Sequence, residues 1–214
     1  MNKKIHIIAQ GVAPCAARAD RHAVRSSYGI DAAAVVFLMV AGIRPVKRIG
    51  TAINAFQEVQ RQVPDAALLL VGPVIDQSET EKVLSAGSRL RCFTYLGEMA
   101  PSEVRSLMDA ADVFLNTSLH EGMPGAVLEA MAAGLPIIAS AVAGNRALVA
   151  DNTNGFLFPV EDTKELIATS VVLAQDRKLR ERLGEAGKQL VAANYSAERE
   201  IANYHQIYGR LLSG

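Results

Sequence analysis

Glu121 and Glu129 stand eight residues apart inside residues 117–134, TSLHEGMPGAVLEAMAAG. Ser118 to Pro124 read as a loop of ligand-facing groups. From about Gly125 the pattern becomes a small-residue helix that stops at Gly134. The start of such a helix offers free backbone N–H groups and a positive dipole end, which suits a phosphate. Glu129 falls about one turn inside the helix and Glu121 lies in the loop. The two carboxylates could do acid–base work, accept hydrogen bonds from sugar hydroxyls, or serve only as a dipole-favoured acid and a surface charge. Gly122, Met123, Pro124 and Gly125 keep the approach compact, and Pro124 fits near the first helical position, where its missing N–H costs nothing. His120 could touch a sugar or phosphate, or simply face solvent. No spacing among His6, His22, His120 and His205 makes a metal-ligand cluster.

A second chemical segment is Gly42-Ile-Arg-Pro-Val-Lys-Arg48. Three cations in five residues near a helix start oppose the dipole unless an anion compensates. Arg44, Lys47 and Arg48 could pair with a diphosphate there, Arg as a fork and Lys as a point charge, and Lys47 is the residue assigned to it. Gly72-Pro73 and Gly97-Glu98 each close a strand, permitting a tight turn or close ligand approach. Asn145 could cap a short helix or line the site.

The elements that must position these groups follow from periodicity. Val35–Val40, Ala67–Val71, Arg91–Leu96, Val113–Asn116, Pro136–Ala139 and Gly155–Phe158 read as strands. Helices are expected at Arg48–Gln62, Ser78–Ala86, Ser102–Asp109, in the central stretch, at Asn145–Val149, Asp162–Ala174, Arg177–Ala193 and Ala197–Leu211. Ile49, Ala52, Ile53, Phe56 and Val59 share one side of the first of these. Ile5–Ala9 is a short strand or extended lead-in, and Gly11–Ser27 reads as irregular. Short apolar strands alternating with helices predict an α/β, doubly wound, mostly parallel, Rossmann-like sheet. Ligands in such sheets bind at the carboxyl ends of the strands. Gly42, Gly72, Gly97, Ser118 and Gly144 lie there.

The chain has 214 residues, half of them hydrophobic, with 22 basic and 22 acidic side chains. That length carries one large domain, or one domain with an appendage, and the charge balance gives no support for nucleic-acid binding. No apolar run reaches the roughly 18 residues that span a membrane. Cys15 and Cys92 form no metal or redox motif, which fits a cytoplasmic location.

With these segments in order, the chain resembles the C-terminal donor-binding half of retaining, nucleotide-sugar-dependent GT-B glycosyltransferases, the glycosyl transferases group 1 family. Glu121-x7-Glu129 in HEGMPGAVLEAMAAGLPIIAS is similar to that family's E-x7-E segment. GIRPVKR, LLLVGPVID, YLGEM, ADVFLNTS, NTNGFLF and the arginine-rich 177–191 stretch follow in the family's order. GIRPVK, VGPVID and GEM especially resemble the subgroup of glycosyltransferase 1 domain-containing proteins. IHIIAQGV resembles the strand and turn that end the family's N-terminal domain, most of which is not in this sequence.

The resemblance implies a nucleoside diphosphate sugar as donor substrate, with no cofactor and no metal. Lys47 would contact the diphosphate and take part in catalysis with Glu121, which would hold the donor sugar. Gly122, Met123, Pro124 and Gly125 would bring backbone N–H groups to sugar or phosphate. Glu129 would hold the ribose hydroxyls, and Gly97, Glu98 and Met99 would sit near the base. The family often carries an arginine where this chain has Gly42; Arg44 is near enough to substitute. The donor-binding set is thus Gly42, Arg44, Lys47, Gly97–Met99, His120–Gly125 and Glu129.

The implied organisation is a lead-in or linker remnant over residues 1–32, a nucleotide-sugar-binding domain over 33–196, and a C-terminal helix over 197–214 that crosses to a missing N-terminal domain. Tyr204, Ile207, Tyr208 and Leu211 form a stripe that could pack on this domain, on the missing half or on a second copy. The expected partners are a nucleotide sugar, an acceptor-binding N-terminal domain or subunit, and a second copy in a homo-oligomer. A non-catalytic nucleotide-sugar-binding or regulatory module is the alternative, and a nucleotide-sugar epimerase of related architecture a third. No G-x-G-x-x-G opens the first βα unit, which argues against a dinucleotide dehydrogenase.

Overall fold

Runs of branched apolar residues too short to be helices build the sheet. A computed structural model describes residues 6, 8–13 and 19–212. In chain order these hold α1 (Arg21–Ser27), β1 (Val35–Val40), a 3-10 turn (Pro45–Lys47), α2 (Ile49–Gln62), β2 (Ala66–Val71), α3 (Gln77–Gly87) and β3 (Phe93–Tyr95). There follow α4 (Pro101–Ala110), β4 (Val113–Asn116), α5 (Gly125–Ala132), β5 (Ile137–Ser140), α6 (Ala143–Arg146), β6 (Gly155–Phe158), α7 (Thr163–Gln175), α8 (Arg177–Asn194) and α9 (Ala197–Leu212).

All six strands are parallel in the order β3-β2-β1-β4-β5-β6. Parallel strands buried on both faces explain the near-continuous apolar runs, such as the six consecutive buried residues of β2. Alternate β1 residues point to opposite sides. Phe37 and Met39 join a core with Ile49, Ile53 and Phe56 of α2, whereas Val36 and Leu38 join Leu107, Val127, Leu128 and Met131 of α4 and α5. Phe37 and Phe56 meet edge to face at 5.0 Å, a favoured aromatic geometry. The strand order reverses between β1 and β4. The β1–α2 and β4–α5 connections therefore pass to opposite faces of the sheet from its carboxyl edge, the usual ligand side of a doubly wound sheet.

The expected elements recur with shifts of a residue or two, apart from three differences. Residues 21–27, expected to be irregular, form α1, capped by Asp20, whose side chain accepts from the N–H groups of His22 and Ala23. Its buried anchor is Arg25, 2% exposed, which donates to Ala110 O, Ala32 O, Ala34 O and Asp112 Oδ2. A helix held by an arginine has no apolar periodicity to read. The short helix expected at Asn145–Val149 begins earlier, as α6, for a packing reason given below. Of the stripe expected on α9, Tyr204, Tyr208 and Leu211 are exposed and Ile207 is half-buried, so it adds nothing to the buried core of this domain. Of the lead-in strand at Ile5–Ala9, Ile5 and Ile7 lie outside the described residues, as does Cys15. Ile8 and Ala9 belong to no strand, and Val12 makes an isolated parallel bridge to Ser196.

Candidate functional site

At the carboxyl edge the β1–α2 and β4–α5 connections are bonded to each other. After β1 the chain turns through Gly42 and Ile43 into the 3-10 turn, and Arg48 then takes a left-handed conformation, φ 47°, before α2 starts. That turn swings neighbouring side chains apart. The Arg48 guanidinium reaches Thr51 Oγ1 (3.2 Å), Val160 O (3.0 Å) and Glu161 Oε1 (3.0 Å), so it braces the β6–α7 connection and does not join the expected cationic cluster. Lys47 points the other way, its Nζ 2.7 Å from Glu121 Oε1. Thr117 Oγ1 donates to Lys47 O at 2.8 Å, and Leu119 N–H donates to Val46 O at 2.8 Å. Lys47 and Glu121, 74 residues apart, thus meet because β1 and β4 are neighbours.

Glu121 Oε1 gathers two further donors, Ser118 Oγ at 2.6 Å and Asn116 Nδ2 at 3.2 Å. Behind them is a buried polar chain. Asn116 Oδ1 accepts from Ser118 N–H and from Asn145 Nδ2. Asn145 Nδ2 also donates to Ser140 O at 2.8 Å, and Ser140 Oγ donates to Ser118 O. Asn145, 0% exposed, lies within α6 and not at its cap; its Nδ2 ties the ends of β4 and β5 under the loop. The N-cap position of α6 is taken by Val142, which makes no side-chain capping bond. A Cβ at Gly144 would lie 2.4 Å from Gly122 O and 2.5 Å from Glu121 O. The loop therefore rests on the α6 backbone, which pulls that helix toward residue 143.

Burial alone would raise the Glu121 pKa. Hydrogen bonds from Lys47, Ser118 and Asn116, with the Lys47 charge, outweigh it and hold the carboxyl below the usual range. At neutral pH Glu121 is accordingly an ionised acceptor, suited to hydroxyl groups and unsuited to donating a proton. Glu129 differs. Its side chain is exposed on α5, yet surrounding protein strips enough hydration to push its pKa up, against the pull of Arg105. Among the described residues no hydrogen bond or ion pair joins Glu129 to Lys47 or Glu121.

The remaining expected residues spread around the same edge. Pro124 stands extended at the N-cap position of α5, and Gly125 is the first helical residue, as expected. Val127 and Leu128 N–H groups turn back to Pro124 O; the Gly125 and Ala126 N–H groups precede them at the open helix end. His120, Gly122 and Met123 are exposed. Arg44 is exposed, and a Cβ at Gly42 would lie 2.8 Å from Ile75 Cγ1, so Ile75 occupies the space a longer residue at 42 would need. Gly97, at φ 73°, accepts from Gly72 N–H at 2.8 Å, and exposed Glu98 and half-buried Met99 follow it.

Gln10 was missed at the sequence level. Its N–H donates to Met123 Sδ at 3.2 Å, and its amide lies over Gly125. Asn116 and Ser140 were missed too, although a polar residue ending an apolar strand at its carboxyl end is a legible signal. Among the described residues no group of three or more His, Cys, Asp or Glu side chains could hold a metal ion, and no helix is long and apolar enough to cross a membrane. A cavity of about 570 Å³ lies at the opposite, amino end of the strands, among Arg21, Arg25, Asp112 and Arg180. Arg21 and Arg25 both pair with Asp112, and Arg180 donates to Leu173 O and Ala174 O. These arginines brace the helices.

Known proteins resemble this chain in sequence and in fold. Residues 20–190 match the family model described as glycosyl transferases group 1. The chain is 29% identical over 192 residues to the N-acetyl-alpha-D-glucosaminyl L-malate synthase of Bacillus anthracis, covering 88% of this chain and 49% of that protein. It is 26% identical over 208 residues to the glycosyltransferase 1 domain-containing protein 1 of Xenopus tropicalis, covering 95% and 60%. Sucrose-phosphate synthase from Thermosynechococcus elongatus superposes with a TM-score of 0.81 at 26% identity, over 97% of this chain and 53% of that one. Anabaena HepE, in complex with UDP-glucose, superposes with a TM-score of 0.80 at 22% identity, over 91% and 52%. The chain thus spans about half the length of these proteins. With the parallel sheet, its switch point between β1 and β4 and the matched residues 20–190 taken together, the chain belongs to the glycosyl transferases group 1 family and is folded as one Rossmann-like half of a GT-B enzyme.

Proposed function

We propose that this chain is the donor-binding part of a retaining glycosyltransferase, moving a hexosyl group from a nucleoside diphosphate sugar to an acceptor hydroxyl. The observation that carries the reading is the Lys47–Glu121 pair, 2.7 Å apart at the switch point of the sheet beside the start of α5. The diphosphate lies against that helix start, where N–H groups and Lys47 offset its charge as it leaves. Glu121, already ionised, accepts hydrogen bonds from sugar hydroxyls. Glu129 accepts from the ribose hydroxyls, and the backbone of Gly97–Met99 borders the base. The bond from the anomeric carbon to the diphosphate oxygen breaks. The acceptor oxygen bonds to the same face of that carbon, and its proton passes to the departing phosphate. No protein nucleophile is required, and a carboxylate committed to Lys47, Ser118 and Asn116 is poorly placed to be one.

The acceptor is held by a second, N-terminal-type domain, without which this chain does not turn over. The length relation to the relatives supports that requirement. The alternative, a nucleotide-sugar-binding or regulatory module without catalysis, is favoured by one observation: Ile75 packs over Gly42 where the family often places an arginine. Calorimetric titration with UDP, GDP, ADP and their glucose conjugates tests the shared claim, and binding of none overturns it. Turnover on addition of a separate N-terminal-type domain separates the enzyme from the module.

A further inference from the structure

The segment before α1 reaches the candidate site from the far end of the domain, and it is held in register on the way. Val12 N–H donates to Tyr195 O at 2.7 Å and Ala197 N–H returns to Val12 O at 3.2 Å, where α8 hands over to α9. Gly11 N–H donates to Glu200 Oε2 at 2.8 Å. A Cβ at Gly11 would lie 2.6 Å from Ser196 O, so the two backbones touch and leave little room to slide. The next residue outward is Gln10, exposed and pinned through its N–H to Met123 Sδ. Its Nε2 and Oε1 are each 3.8 Å from the position of a Gly125 Cβ. A carboxamide is thus suspended above the open N-terminus of α5, on a backbone fixed at three points.

We propose that Gln10 is a donor-contacting residue whose side-chain amide reads a hydroxyl of the transferred sugar. This rests on the nucleotide-sugar reading of the site. The chemistry favours the sugar over the diphosphate. A phosphate takes only donors, and α5 and Lys47 already supply those; a hydroxyl both donates and accepts, which suits Oε1 and Nε2 presented side by side. The position also completes the acceptor set around the ring, with Glu121 on the β4–α5 loop and Gln10 on a segment held by α9.

The test compares the full chain with Gln10→Ala in calorimetric titrations of UDP, GDP or ADP and of the matching glucose conjugate. Because Gln10 is exposed, the variant keeps the wild-type melting temperature. The expected result is unchanged affinity for the bare diphosphate and about a fivefold loss for the sugar conjugate, the size of one neutral hydrogen bond. Equal affinity of variant and wild type for both ligands overturns the proposal, and so does an equal loss for both, which would place the amide on the diphosphate. If wild type binds none of the ligands, the nucleotide-sugar reading itself falls and takes this inference with it.

Discussion

A carboxylate that collects a lysine, a serine and an asparagine on one oxygen is set up as an acceptor whose charge is already spent on neighbours. In the proposed site, a donor diphosphate would draw Lys47 away from it. Glu121→Gln removes the competing charge, so the bare nucleoside diphosphate should bind about two- to fivefold tighter while the added affinity from the sugar is lost. Titrating both ligands against wild type and variant reads the two effects separately. Lys47→Ala should weaken diphosphate binding at least about tenfold, since a charge-assisted bond is removed. The pH behaviour follows from the direction of the Glu121 shift. Its folded pKa is depressed, so its stabilisation is full above the unfolded carboxyl pKa, about 4.3, and is lost as pH falls through the lower folded value. Melting curves of wild type and Glu121→Gln should therefore run parallel from pH 8 to 5 and converge only in stronger acid.

At the scale of elements, α6 is short but sets the floor of the site. Its Gly144 lets the Glu121–Gly122 backbone rest directly on it. Gly144→Ala should force the loop upward, lowering stability by about 2 kcal/mol and Tm by about 4–8 °C, with donor affinity falling in parallel. Asn145→Ala leaves the polar ends of β4 and β5 without their shared donor. It should cost about 1–3 kcal/mol, measured by denaturant unfolding. This layer was only partly legible in the sequence. Glycine at 144 and asparagine at 145 marked a turn after a strand, but the close backbone contact that explains both comes from residues over twenty positions upstream. α1 was not legible, because its one buried residue is Arg25, which satisfies backbone carbonyls, and within the helix only Val24 adds apolar packing to the core.

Across the whole molecule, the exposed apolar stripe of α9 stands apart from the buried sheet. Tyr204, Tyr208 and Leu211 are 42%, 58% and 66% exposed and Ile207 is half-buried, with exposed Ile201 beside them; Tyr204 and Tyr208 stack on each other with centroids 6.2 Å apart. None contributes to this domain's core. Tyr204→Ser with Tyr208→Ser should leave the Tm of the chain within about 2 °C of wild type, checked by calorimetry. A larger fall would mean that the stripe is buried in solution.

The local order of this protein lay in its sequence. Apolar runs of four to six residues alternating with amphipathic segments read as buried strands and helices, and Glu121 in the loop with Glu129 one turn inside a small-residue helix marks a helix start with polar groups around it. Those features rest on neighbours within a few residues, which periodicity and turn chemistry expose. The tertiary structure decided which groups meet. Lys47 reaches Glu121 because the strand order sets β1 beside β4, and Arg48, next in the chain, is turned to Val160 and Glu161 by a left-handed residue. Asn116, Ser140 and Asn145 become one buried network, and Gln10 is carried to α5 by backbone bonds to Tyr195 and Ala197. Such pairings depend on strand order and backbone direction summed over the whole chain, which no local pattern of residue types records.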